Sequence, residues 1–267
     1  MDNKSAHTRL DVGKRPTAKG ARGKSATRQE ARTEAKVILW DIESSNLNAN
    51  FGYILCIGWK ELDKPGVTVK SITDYPLFKT DPTNDKQLLA DVSRDLSAAD
   101  CWVSWYGSRF DVPYVQSRLI LHRLPIMPPV QHVDAWRIAK YKMKLNSNRL
   151  ASVSAFLELE EKTPLSGPIW IRAAAGHRES VRYVQEHCKQ DVLVLEQAYK
   201  RIRPLSTNHP ALGVVSGQRH SCPNCGSVEV QRRGFAYTRL GKYYRFQCTT
   251  CGAWSRDGKA LERVDMR

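Results

Sequence analysis

The sequence predicts an α/β domain with a small metal-held module toward its C-terminal end and a disordered basic arm at its N-terminal end. Three observations carry that expectation. Between residues 35 and 204, short β-branched runs alternate with stretches of helical periodicity. Two Cys-x-x-Cys pairs, Cys222/Cys225 and Cys248/Cys251, follow a Pro- and Gly-containing stretch. Residues 1–34 are mostly Lys, Arg, Ala, Gly, Ser and Thr, with almost no large apolar side chain whose burial would offset the entropy of ordering them.

A chain of 267 residues holds one mid-sized core plus an appendage, because single cores stop growing near ~250–300 residues. The expected division is the arm over 1–34, the α/β domain over 35–204, a linker over 205–218 and the cysteine module with its tail over 219–267. The core opens with Lys36 to Glu43, a β-branched run that reads as a strand buried on both faces. Gly52 to Trp59 and Val67 to Ile72 give two further strands joined by turns. Leu88, Leu89, Val92 and Leu96 recur at helical intervals, and Cys101 to Trp105 returns to strand composition. Asp111 to Arg123 then reads as a helix beginning at its carboxylate, and Val130 to Trp136 as a weaker strand. Helical periodicity returns over Leu150 to Leu157 and most strongly over Ser180 to Ile202. Between those two helices Glu161 to His177 is rich in Pro, Gly and Ala, and Leu205 to Ser221 reads as the linker.

The formal charge of +15 suits a polyanionic partner, since lysine and arginine gain affinity by displacing counterions from a phosphate backbone. The ends are the most basic parts: residues 1–34 carry nine Lys/Arg against four Asp/Glu, and residues 206–267 carry ten against four. Nucleic acid leads the expected partners. No apolar run approaches the ~18–20 residues that span a bilayer, and the start lacks the apolar core of a secretion signal. The expectation is therefore a soluble, cytoplasmic protein with no membrane partner. In such a reducing compartment paired cysteines read as metal ligands, while Cys56, Cys101 and Cys188, set in apolar or helical segments, read as small buried hydrophobes.

Asp41 and Glu43 are one residue apart, so on a strand both side chains share a face, where two anions repel unless a cation lies between them. A strand end meeting solvent also carries acids, so the pair needs partners. One is Asp111, delivered by Trp105-Tyr-Gly-Ser-Arg-Phe-Asp at the mouth of a helix, where capping is the plainer role. The other is Glu186-His187-Cys-Lys-Gln-Asp191, whose His187 and Asp191 share one helical face four residues apart. Asp134, after the weaker strand, reads as structural.

In their order and motifs these segments resemble the DEDD exonucleases of the ribonuclease H-like superfamily, particularly bacterial and phage members similar to the proofreading domain of family B DNA polymerases. The resemblance covers about residues 36–203 and rests on Asp41-x-Glu43, on Tyr106-Gly with Phe110-Asp111-x-Pro113, and on Asp191. It implies a mixed sheet flanked by helices and a 3′-5′ exonuclease acting on DNA. It also implies two Mg²⁺ or Mn²⁺ ions held by Asp41, Glu43, Asp111 and Asp191, because hard carboxylate oxygens prefer such ions. The family places Tyr four residues, or His five residues, before the last Asp; here His187 occupies the Tyr spacing and Glu186 the His spacing. His187 is the preferred general base.

Each Cys-x-x-Cys pair is followed by Gly, and two residues between thiolates let one tight turn present both sulfurs. The module resembles zinc ribbons, which implies one structural Zn²⁺ on Cys222, Cys225, Cys248 and Cys251. Between the pairs Arg232, Arg233, Arg239, Lys242 and Arg245 interleave with Phe235, Tyr237, Tyr243, Tyr244 and Phe246, a composition suited to phosphate contact and base stacking or to packing the ribbon itself. The same fold also serves ribonucleases and structure-specific endonucleases. A non-catalytic nucleic-acid-binding protein on a nuclease core is the rival of another class, and retention of all four carboxylates argues against it.

Overall fold

The computed structural model describes residues 34–159 and 164–265. The basic arm, apart from Glu34, lies outside the described residues. Strand β1 (Val37–Ser44) pairs antiparallel with β2 (Ile54–Glu61), and β2 pairs antiparallel with β3 (Thr68–Ser71). Helix α1 (Lys86–Ser97) leads to β4 (Cys101–Ser104), parallel to β1, and α2 (Asp111–Leu121) leads to β5 (Gln131–Asp134), parallel to β4. Parallel neighbours need such crossovers. The resulting mixed sheet runs β3-β2-β1-β4-β5, which puts the Asp-x-Glu strand at its centre.

Four helices follow: α3 (Ala135–Lys142), α4 (Leu150–Phe156), α5 (Gly167–Ala174) and α6 (Arg178–Ile202). Alternation along β1 sends Ile38, Trp40 and Ile42 into a core with α1 and α2, which the first half of α6 also joins. Val37 and Leu39 enter a second core with β4, α3, α4 and the second half of α6. A buried ion pair between Lys60 and Glu196 ties β2 to α6, and Glu196 also accepts from Asp63 N at 2.9 Å.

Three helices, α3, α5 and one in the expected linker, had no forecast. The weaker strand ends at Asp134, whose carboxylate accepts from Trp136 N at 3.2 Å and so caps α3. Within the Pro-, Gly- and Ala-rich stretch stands α5, with Ser166 at its N-cap and a proline in its first turn. The stretch expected as a linker contains α7 (Leu212–Val215) and buries Ser206, His209 and Leu212; Tyr199 Oη and His209 Nε2 stand 2.6 Å apart.

The C-terminal module is a sheet of β6 (Val230–Tyr237), β7 (Gly241–Cys248) and β8 (Trp254–Arg256), with β9 (Glu262–Arg263) also paired to β7. Its first cysteine turn is fastened to the end of α6. The buried Asn224 side chain donates to Arg203 O at 2.9 Å and Ser206 O at 3.0 Å, and Leu212 N donates to Pro223 O at 3.1 Å. A buried amide left without these acceptors would cost about 1–3 kcal/mol.

Candidate active site

β1 places Asp41 and Glu43 on the face covered by α6, and a bulge between Glu43 and Ser44 interrupts the pairing with β2 just there. From α6, His187 Nε2 approaches Glu43 Oε1 to 3.8 Å and Asp191 Oδ2 to 3.9 Å. Glu43, His187 and Asp191 offer ligand atoms all within 4.8 Å of one another. The two imidazole–carboxylate gaps exceed hydrogen-bond length, yet atoms each ~2.1 Å from a shared ion stand roughly 3–4 Å apart. The spacing of these donors, two carboxylates with an imidazole, is therefore compatible with a divalent cation held among them.

Gly58, opposite Asp41 in the β1–β2 register, makes this closeness possible. A Cβ there would stand 2.8 Å from Cys188 Sγ and 3.2 Å from Val192 Cγ2, so any side chain would push α6 off the sheet. Cys188 Sγ instead lies 3.7 Å from Asp41 O. Cys56, Cys101 and Cys188 are all buried; burial pushes the Cys56 thiol up and that of Cys101 to about 12, so neither ionises at neutral pH.

Asp111 opens α2 but does not cap it. Its Oδ1 reaches across to accept from Ile42 N at 3.1 Å, the amide between Asp41 and Glu43. The Tyr106-Gly107 turn delivers it: Tyr106 takes a positive φ of 69°, and a Cβ on Gly107 would collide with Ser104 Oγ and lie 2.9 Å from Asp111 Oδ2. Asp134 holds that turn, accepting from Tyr106 N at 2.9 Å, from Ser108 N at 3.3 Å and from the Ser108 hydroxyl.

Burial pushes the Asp111 carboxyl up from 3.8 to about 7. Because the folded value lies above the unfolded one, the group's stabilising contribution is complete below pH ~4 and is lost as pH rises through 7 unless a cation compensates. Asp111→Asn removes the ionisation while keeping an acceptor for Ile42 N. It is expected to stabilise the protein above pH 7 without added divalent ions, and to do so by little below pH 4. Urea titrations at the two pH values measure this, and equal stabilities of variant and parent at pH 8 would contradict it.

A cleft of ≈ 470 Å³ adjoins Glu43, walled by Leu47, Phe110 and Trp170 and edged by Asn46 and Asn48. Aromatic walls beside a carboxylate cluster can take a base while the phosphate faces the acids.

In the ribbon, Cys222 Sγ and Cys251 Sγ are 3.7 Å apart and Cys225 Sγ and Cys248 Sγ 3.6 Å. Four sulfurs 2.3 Å from a tetrahedral ion would be roughly 3.8 Å apart, so the cluster is compatible with a zinc ribbon. The two turns match: Gly226 N donates to Cys222 O and Gly252 N to Cys248 O, with positive φ at both glycines. The ribbon's cations sit over its rings: Arg232 over Tyr244 at 4.7 Å, Lys242 over Phe235 at 4.6 Å and Arg245 over Trp254 at 4.7 Å. Lys242 also pairs with Glu262 at 3.0 Å, Arg233 bonds Gln231, and Arg239 is exposed in the hairpin turn.

Of the site residues predicted from sequence, Glu43, His187 and Asp191 meet directly, as do the four cysteines. Asp111 joins through the Ile42 amide, and Asp41 and Asp111 stand outside the 4.8 Å set. Gly58, Asp134 as organiser of the Asp111 turn, and Trp170 were not foreseen. The Asp before Ala135 and the Ser-Gly-Pro at 166–168 were usable helix-start signals for α3 and α5; Gly58 carried none.

A central Asp-x-Glu strand faced by a helix bearing His and Asp defines a nuclease-type α/β fold. The chain matches the RNase H superfamily over residues 38–203, well over half its length, and belongs to that superfamily. A comparison with curated proteins finds no match. Among solved structures it is similar to the family B DNA polymerase from the hyperthermophilic archaeon Pyrobaculum calidifontis, at 13% identity and a TM-score of 0.50, covering 77% of this chain. The chain spans 31% of that polymerase, and the likeness is one of fold. Among the described residues no helix is long and apolar enough to cross a membrane.

Proposed function

We propose that this chain is a two-metal-ion 3′-5′ exonuclease that hydrolyses phosphodiester bonds in DNA. Asp41, Glu43, Asp111 and Asp191 hold Mg²⁺ or Mn²⁺, and His187 is the general base. The single observation that carries the reading is the approach of His187 to both Glu43 and Asp191, at 3.8 and 3.9 Å. The divalent ions, when bound, supply the Lewis acidity that ionises an attacking water and offsets charge on the leaving oxygen. The chain's own residues do the rest. The carboxylates balance the cations, His187 takes a proton from the water, and the Leu47–Phe110–Trp170 cleft orients the terminal nucleotide.

The ribbon carries a structural Zn²⁺ on its four cysteines and contributes phosphate contacts through Arg232, Arg233, Arg239, Lys242 and Arg245. DNA is favoured over RNA by the resemblance to proofreading domains.

The test is digestion of matched single- and double-stranded DNA and RNA, labelled at either end, with Mg²⁺ or Mn²⁺. A 5′ label is expected to report a descending ladder on DNA, and a 3′ label immediate release of mononucleotide. Discrete internal products from both labels would overturn the exonuclease mode, and cleavage confined to RNA would overturn the substrate.

A further inference from the structure

Where the ribbon meets the core, two grooves share Ser206, Thr207 and His209. One, of ≈ 640 Å³, runs along α3 past Arg137, Tyr141 and Lys142 to Ser108. The other, of ≈ 570 Å³, runs over the ribbon past Arg245, Trp254 and Arg256. The geometry points to a continuous track for a single-stranded polynucleotide along this seam, from β8 across residues 206–209 to the loop entering α2. The inference deepens the nuclease reading and rests on it for the purpose of the track, which is to bring a strand end to the carboxylates.

The charge is right for that occupant. Arg137, Lys142, Arg245 and Arg256 line the seam against two carboxylates. Of those, Asp134 is buried and turned to the amides of Tyr106, Ser108 and Trp136, and Asp257 accepts from Lys259 N at 3.1 Å. Burial holds His132 and His209 below their ordinary values, so both stay neutral and the arginines and lysine set the field.

Each limb of the seam also offers a ring with a cation beside it. Tyr141 is 69% exposed with Arg137 6.0 Å from its centroid, and Trp254 is 49% exposed with Arg245 at 4.7 Å. A ring stacks on an unpaired base while the neighbouring cation meets the phosphate, whereas a duplex keeps its base faces inside. The two limbs hold a fixed relation, because Asn224 fastens the ribbon to the carbonyls of Arg203 and Ser206. Ser108, at the far end, lies in the turn that delivers Asp111.

Of the five ribbon cations predicted from sequence, only Arg245 lines this seam. Alternation along β7 puts Lys242 and Tyr244 on the opposite face, where Lys242 and Arg232 cover Phe235 and Tyr244. Arg137, Tyr141, Lys142, Trp254 and Arg256 are therefore additional binding residues, two limbs of one site contributed by core and ribbon.

The test is binding of a short fluorescent oligodeoxythymidylate to the full chain, without added Mg²⁺ or Mn²⁺, as a function of salt. On single strands each phosphate contact contributes about 0.7 to the slope of log affinity against log salt, so Arg137→Ala with Arg256→Ala is expected to flatten it by about 1.4. Trp254→Ala is expected to weaken affinity by about 5- to 150-fold, the worth of one stacked base. Unchanged slope and affinity in both variants would overturn the track. Should a variant fail to fold, photocrosslinking of a 4-thiothymidine oligonucleotide to the parent protein decides: adducts on Tyr141 or Trp254 support the track, and adducts confined to the Lys242 face overturn it. Binding in the seam by a protein that hydrolyses nothing would remove the nuclease reading alone; hydrolysis without seam binding would remove the track alone.

Discussion

Replacing Cys222 and Cys225 together by Ser is expected to abolish zinc binding and unfold the ribbon over residues 219–265 while the five-stranded sheet stays intact. The reason is the poverty of the ribbon's interior. Apart from Tyr243, its buried apolar side chains among the described residues are Cys222, Cys248 and Ala253, with Cys225, Val230 and Cys251 packed around them. Four of those six side chains are the proposed ligands. A sheet of short strands over such a core cannot offset chain entropy, whereas a structural zinc site supplies about 10–16 kcal/mol of apparent binding energy at neutral pH. Hydrogen exchange should show β6 to β9 losing protection, and the end of α6 loosening where Asn224 let go of Arg203 and Ser206. Metal analysis finding the same zinc content in variant and parent would refute the four-thiolate site.

His187→Ala is expected to slow phosphodiester hydrolysis by roughly 10²–10⁴, the usual contribution of a positioned general base, with the metal concentration for half-maximal rate little changed. Among the described residues, neither Tyr183 nor Glu186 is placed to take over. Tyr183 Oη donates to Pro164 O at 2.9 Å, and Glu186 is exposed and faces Lys189 at 3.6 Å. The distances from His187 to Glu43 and Asp191 also suit an imidazole that ligates an ion, and metal titration separates the two roles. A variant whose activity returns at high Mn²⁺ has lost a ligand rather than a base. Full activity at ordinary metal concentration would turn attention to Glu186 or Tyr183.

What the sequence makes legible here follows from where side chains are buried. β1 is covered on both faces, so Val37 to Trp40 form an unbroken apolar run, and the period of two then fixes Asp41 and Glu43 to one face without tertiary knowledge. α6 is long enough for its periodicity to stand out, and His187 and Asp191 four apart are enough to place them together. By contrast α5 buries only Ala173 among its eight residues, so it has no apolar stripe to recognise. The buried positions of α3, Ala135, Ile138 and Ala139, are mostly too small to mark a helix among its cations. Gly58 matters because Cys188 and Val192, more than a hundred residues later, close over it. The same holds for the seam, whose arginines come from α3, β7 and β8 and meet only once Asn224 has docked the ribbon.

The most direct measurement compares the parent protein with Asp41→Ala on end-labelled single-stranded DNA in the presence of Mn²⁺. Asp41 lies on the central strand, and its removal takes a negative charge from the site without touching the hydrogen bond between Asp111 and Ile42 N. Hydrolysis by the parent protein, dependent on the divalent ion and slower in the variant by roughly 10²-fold or more, is the predicted result. Equal product from the two proteins would contradict a carboxylate-held metal centre on β1.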